Sequence, residues 1–148
     1  MTAPHVRFQV FGVPAPQGSK TKMPNGVMLE AGSATGREKQ RAWRQDVRDA
    51  ARRAWDGQPT ITTPVALYAT FVMPRPKARK RDVWCATKPD LDKILRNSAD
   101  ALTQSGVIRD DSLIVSVTAT KVYADDVDSW TGAWFTIEPA ALTAEAVA

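Results

Sequence analysis

One cysteine and one histidine are all that the 148 residues contain of the two side chains most used for nucleophilic attack and transition-metal binding. A single Cys85 cannot close an internal disulfide or join other thiolates around zinc, and it reads as a small side chain near a strand end. His5, at the very start, is expected to be a solvent-facing strand residue rather than a catalytic base. Long apolar runs are also missing, so no segment reaches membrane-spanning length. The first ten residues lack the basic stretch and long apolar stretch of a secretory signal. A soluble, cytoplasmic protein is the expectation that these absences support. Charge leans positive, with 20 Lys and Arg against 16 Asp and Glu, a formal excess of +4. Such an excess describes the whole field and not a site, so by itself it is weak evidence for a polyanionic partner. With 43% hydrophobic residues the chain can build a core, and its length suits one domain over residues 1–148.

Periodicity gives the elements. Val6, Phe8 and Val10 alternate with Arg7 and Gln9, a half-buried strand that ends near Gly12. Residues 13–36 carry Pro14, Pro16, Gly18, Pro24, Gly26 and Gly32 and no stable period; a long loop is expected, with room for a hairpin around Asn25-Gly26. Loops this long are uncommon in compact domains unless they have a function. Lys20 and Lys22 there are read either as substrate contacts or as a solvated basic loop. Thr35, with Glu38 three residues later, has the form of a capping box. The helix it opens carries Trp43, Val47, Ala50, Ala51 and Ala54 on one stripe and ends at Gly57 and Pro59. Arg41, Arg44, Arg48 and Arg52 fall on its other faces, where a solvated surface is the default reading. A second strand covers 64–73, with Val65, Leu67, Ala69 and Phe71 on one face. A second helix runs from about Asp92 to Gln104 and breaks at Gly106, with Asp100 on its solvent side. Strands over 113–123 and 131–137 follow, and residues 139–148 form a peripheral tail. The order β-α-β-α-β-β is that of a small α+β domain, a mixed sheet with helices packed against it.

Against this background two charged clusters stand out. Arg75 to Arg81 holds five basic residues in seven positions, which cannot pack on one another and must face solvent or a partner. Lys77, Arg79, Lys80 and Arg81 are therefore candidates for phosphate contact. The segment leads directly into Lys88-Pro89-Asp90-Leu91-Asp92-Lys93-Ile94-Leu95-Arg96, with Asp110-Asp111 after the following helix. Side chains at i and i+2 diverge on a helix and share a face only in extended chain, so Asp90 and Asp92 can converge only at or just before the helix start. One of them as an N-cap, and Asp110-Asp111 as a turn, is the structural alternative. If three carboxylates do meet, they need a cation. Mg²⁺ suits carboxylate and water ligands and can activate water and steady charge on a phosphodiester. Arg96, one turn after Asp92, could clamp a carboxylate or phosphate but cannot release a proton.

The segment Lys88 to Arg96, with Asp100-Ala101-Leu102, Gly106-Val107 and Asp110-Asp111, resembles the signature of the RusA family of Holliday junction resolvases. Phe11 to Lys20 and Phe71 to Lys77 resemble it more weakly. The resemblance implies a small homodimeric endonuclease of a kind common in phages and prophages, which cuts four-way DNA symmetrically with a divalent metal. Carried over by position, it implies catalytic, metal-binding roles for Asp90, Asp92 and Asp111, with Mg²⁺ as the ion and Mn²⁺ as a substitute. Arg96 stands where the family has a lysine that matters for catalysis, and Lys93 where it usually has an asparagine. The lysine at 93 adds a cation beside the metal and joins Lys20, Lys22, Lys77, Arg79, Lys80 and Arg81 as a candidate DNA contact. A nuclease for forks or flaps, and a junction-binding protein without catalysis, are the competing expectations.

Overall fold

The computed structural model describes residues 5–18, 20–22, 28–30 and 34–141, with backbone alone for 20–22, 28–30 and 34. Strand β1 (Val6–Phe11) follows the alternation of its sequence, burying Phe8 and Val10. Two short strands, β2 (Lys20–Lys22) and β3 (Met28–Glu30), pair antiparallel with Lys20 opposite Glu30. Part of the expected long loop is therefore a hairpin; its Asn25-Gly26 lies outside the described residues. Helix α1 (Ala34–Trp55) begins one residue before Thr35, which corrects the capping box. A residue inside the first turn already has helical backbone and cannot serve as the non-helical cap. Asp56 and Gly57, both at positive φ, turn the chain out of the helix.

The centre of the sheet is β4 (Val65–Met73), which buries Val65, Leu67, Ala69, Phe71 and Met73 on one face. It pairs antiparallel with β6 (Gly132–Pro139) and parallel with β5 (Ile114–Tyr123), in the order β1-β6-β4-β5. Adjacent parallel strands need a crossover, and α2 (Leu91–Ser105) supplies it between β4 and β5. The sheet is thus mixed and the fold α+β, as the periodicity implied. Pro139, expected in the tail, still pairs with Val65, and residues 142–148 lie outside the described part.

Packing joins the two layers. Phe135 lies 5.5 Å from Phe8 and meets Phe71 edge-on at 5.7 Å. Trp43 on α1 is wholly buried and donates from Nε1 to Ser98 Oγ on α2, at 3.0 Å. Asn97 is also wholly buried; its amide donates to the carbonyls of Ala15 and Gln40, each at 3.1 Å. It accepts from Arg44 Nε at 2.9 Å, so Arg44 belongs to the α1–α2 interface and not to the solvated surface expected of it. A buried amide must find partners for its oxygen as well as its nitrogen, and Arg44 supplies the donor. His5 is half-buried against the edge of Trp55 instead of facing solvent. Cys85 is buried too, but in the connection between β4 and α2 rather than at a strand end.

Candidate active site

Asp90 occupies the N-cap position of α2 with extended backbone, yet its carboxylate takes no capping hydrogen bond. Asp90 is thus an N-cap in position but not by its side chain. Its side chain faces Lys88 Nζ at 3.2 Å and Lys93 Nζ at 3.7 Å. The hydrogen bond from Lys88, reinforced by the charges of Lys88, Lys93 and Lys121, holds the exposed carboxyl below the usual range. Asp92, in the first turn, lines an open cavity of about 260 Å³ together with Arg96 and Asp111. Leu67, Leu95, Ile114 and Val117 give this cavity apolar walls.

The Asp110-Asp111 pair divides its labour. Asp110 caps a short 3-10 turn over Asp111–Leu113, accepting from the Ser112 amide at 3.2 Å; hydrogen bonding from the Ser112 side chain first, and then from its amide, lowers its pKa. Asp111, released from capping, lines the cavity. Asp100 does not face solvent as expected: it is half-buried and lies 3.7 Å from Arg44. Burial raises its pKa against the pull of Arg44, and Asp111 and Arg96 are near enough to contribute. A third acid thus adjoins the Asp92–Asp111 cavity from one turn beyond Arg96.

Asp92, Arg96 and Asp111 are therefore brought together from two parts of the chain, whereas Asp90 is turned toward its lysines. Among the described residues no three acidic, histidine or cysteine side chains are grouped closely enough to enclose a metal ion. A pair of carboxylates in a cavity still suits a hard cation, because Mg²⁺ often takes only one or two carboxylates and completes its shell with water and phosphate.

The basic segment is built around Arg75. Its guanidinium donates to the carbonyls of Ala124 (2.8 Å), Arg79 (2.9 Å) and Asp82 (2.9 Å) and stacks on Tyr123. Lys77, Arg79, Lys80 and Arg81 are all exposed around that anchor, and Arg79 pairs with Asp82 at 3.3 Å. Lys121 Nζ donates to Thr87 O (2.6 Å) and Pro89 O (2.9 Å), fixing the approach to Asp90. The Gln17 amide donates to Lys93 O at 3.0 Å, so the loop after β1 steadies the start of α2. Lys20 and Lys22 lie on β2, but their side chains are outside the described part of the structure.

Sequence reasoning missed Lys121 and Asn97, although each leaves a trace. Lys121 shares the alternation of Ala119 and Tyr123, so it is a charge on a partly buried strand face. Asn97 falls on the apolar stripe with Ile94 and Ala101, where a polar side chain implies a buried partner.

Comparison with curated proteins returns no match. Among family models, the one described as endodeoxyribonuclease RusA matches residues 14–128, more than three-quarters of the chain. The matched stretch takes in the basic segment, both helices and every residue placed around the cavity. On that match the chain belongs to the RusA family of endodeoxyribonucleases.

Proposed function

We propose that the protein cleaves branched DNA, four-way junctions above all, by divalent-metal-dependent phosphodiester hydrolysis as a homodimer. The observation that carries this reading is the meeting of Asp92, Arg96 and Asp111 in one cavity. Asp92 and Asp111 would hold Mg²⁺, with Asp90 as the third candidate ligand and Mn²⁺ as a substitute. When bound, the ion supplies activation of a water and stabilisation of charge at the scissile phosphate. Arg96, fixed as a cation, would orient a carboxylate or bind a phosphate oxygen and takes no part in proton transfer. Lys77, Arg79, Lys80 and Arg81, with Lys93 beside the acids, would hold the backbone on either side of the cut. Lys20 and Lys22 are further candidates. Such contacts position DNA without reading its sequence. Two symmetric cuts need two sites related by a twofold axis. The exposed edge strand β5, with Val115 and Val117, offers a surface for the second copy.

Cleavage of a synthetic four-way junction is the direct test. A symmetric pair of nicks is expected in Mg²⁺ or Mn²⁺ and none in EDTA. Faster cutting of forks or flaps at matched concentration would move the substrate assignment to them. No cleavage of any branched DNA in either metal would overturn the enzymatic reading.

The loop is tested separately by replacing Lys77, Arg79, Lys80 and Arg81 with alanine. Each lost phosphate contact should flatten the plot of log affinity against log salt by roughly 0.9. An unchanged slope removes the loop from the interface.

A further inference from the structure

The most exposed large apolar side chains among the described residues are adjacent: Val83 at 81% and Trp84 at 79%. Tyr68 on β4 is only 42% exposed, and the rings near β1 have partners. Phe11 meets Trp130 edge-on at 5.9 Å, and Trp134 lies under Arg7 at 4.8 Å. The indole of Trp84 has no hydrogen bond and no ring contact among the described residues. Nor is its exposure that of a slack loop. On one side Arg75 grips Asp82 O at 2.9 Å; on the other Cys85 is buried in the core, and Lys121 grips Thr87 O two residues later. The chain is fastened on both flanks and leaves the ring standing in water.

Its surroundings say what could cover it. Lys77, Arg79, Lys80 and Arg81 precede the tryptophan and Lys88 follows, so the neighbourhood attracts a polyanion and not an apolar protein surface. A polyanion that also presents flat π-faces is a nucleic acid. In linear duplex those faces are covered by the neighbouring base pairs; at a branch point the stack is interrupted and one becomes available.

We propose that Trp84 stacks on a base exposed at the branch point, so that the ring selects branched over linear DNA while the cations around it bind either. The assignment rests on the nuclease reading for its substrate, but stacking is a separate interaction from metal-dependent cutting. A backbone fastened on both flanks before binding loses little freedom on stacking, which favours this site over a slack loop.

The test measures affinity in EDTA, where cutting is off, for a four-way junction and a linear duplex of the same arm sequence. Wild-type protein, Trp84→Ala and Trp84→Phe are compared, and cleavage by the wild type in Mg²⁺ is run alongside. Trp84→Ala should weaken junction binding about tenfold, within the range for one base stacked on an aromatic ring. Duplex binding should stay within about twofold, since phosphate contacts are untouched. Trp84→Phe should recover most of the junction affinity, because a smaller ring still stacks. Equal affinities of wild type and Trp84→Ala for the junction, or an equal loss on junction and duplex, would overturn the stacking role. If the wild type then still cuts branched DNA, the nuclease reading survives. A wild type that neither cuts nor prefers the junction overturns both.

Discussion

Asp111→Asn should lower the rate of metal-dependent cleavage by about 10³-fold or more, whereas Asp110→Asn, one residue earlier, should change it only slightly. The contrast comes from what each carboxylate touches. Asp111 lines the cavity with Asp92 and Arg96; Asp110 is occupied in capping the Ser112 amide. Asparagine caps about as well as aspartate, so the neighbouring turn is kept. At position 111 the same change removes a negative charge from the proposed ion site. Loss of several kcal/mol of transition-state stabilisation corresponds to that fold-change. Asp92→Asn should match Asp111→Asn, and the double variant should be little worse than either, because ligands of one ion act as a unit. Asp90→Asn should join them if its carboxylate leaves Lys88 and Lys93 for the ion when DNA binds. Binding to uncut junctions in EDTA should persist in all five variants, since the phosphate-facing cations remain. Single-turnover cleavage settles the matter, and wild-type rates for Asp111→Asn would remove the cavity from the chemistry.

The second large effect concerns folding. Gly132→Ala should destabilise the protein by about 3 kcal/mol or more, adding the cost of positive φ for a residue with a Cβ to that of overpacking. Gly132 opens β6 at φ 148° opposite Phe11, and a Cβ there would stand 1.8 Å from the carbonyl oxygen of Val10. That oxygen is backbone and cannot swing aside, so β1 and β6 must part locally. Thermal unfolding followed by circular dichroism should show a midpoint lower by roughly 10 °C. A midpoint within a degree or two of wild type would mean that the strand ends separate freely. Gly12 makes a useful contrast. A Cβ there would meet the Asp46 carboxylate, a side chain that can move, so Gly12→Ala should cost less.

Much of this molecule is legible along the chain because its elements obey local rules. Alternation places β1, β4 and β6, and the stripe of Trp43, Val47 and Ala51 places α1, since a side chain's face follows from its position in a regular backbone. Gly106 at φ 84° ends α2 where the sequence puts the break. Apart from the start of α1, the errors that bear on the site fall where a residue's partner is distant in sequence. Arg44 looks like surface on its own helix and is drawn inward by Asn97, 53 residues away. Asp100 looks solvent-facing on its own helix, but Arg44 of α1 lies 3.7 Å from it and half-buries it at the α1–α2 contact. The hairpin within 13–36 had a local sign in Asn25-Gly26, but which residues pair across it, Lys20 with Glu30, was set by the structure.

The acidic motif itself shows where the boundary runs. Residue types and spacing made Asp90, Asp92, Arg96 and Asp111 candidates and left a cap and a turn as the alternative; it was the resemblance to a family signature that grouped them. Only the tertiary structure decided their division of roles. It sets Asp92 and Asp111 on one cavity, gives Asp110 to a cap, turns Asp90 toward two lysines, anchors the basic loop through Arg75 and fixes the approach to Asp90 through Lys121. Spacing determines which residues share a turn or a strand face, because backbone geometry is local. Which carboxylate faces which cation depends on a parallel β4–β5 pairing and a helix crossing, contacts that close only when distant parts of the chain have packed.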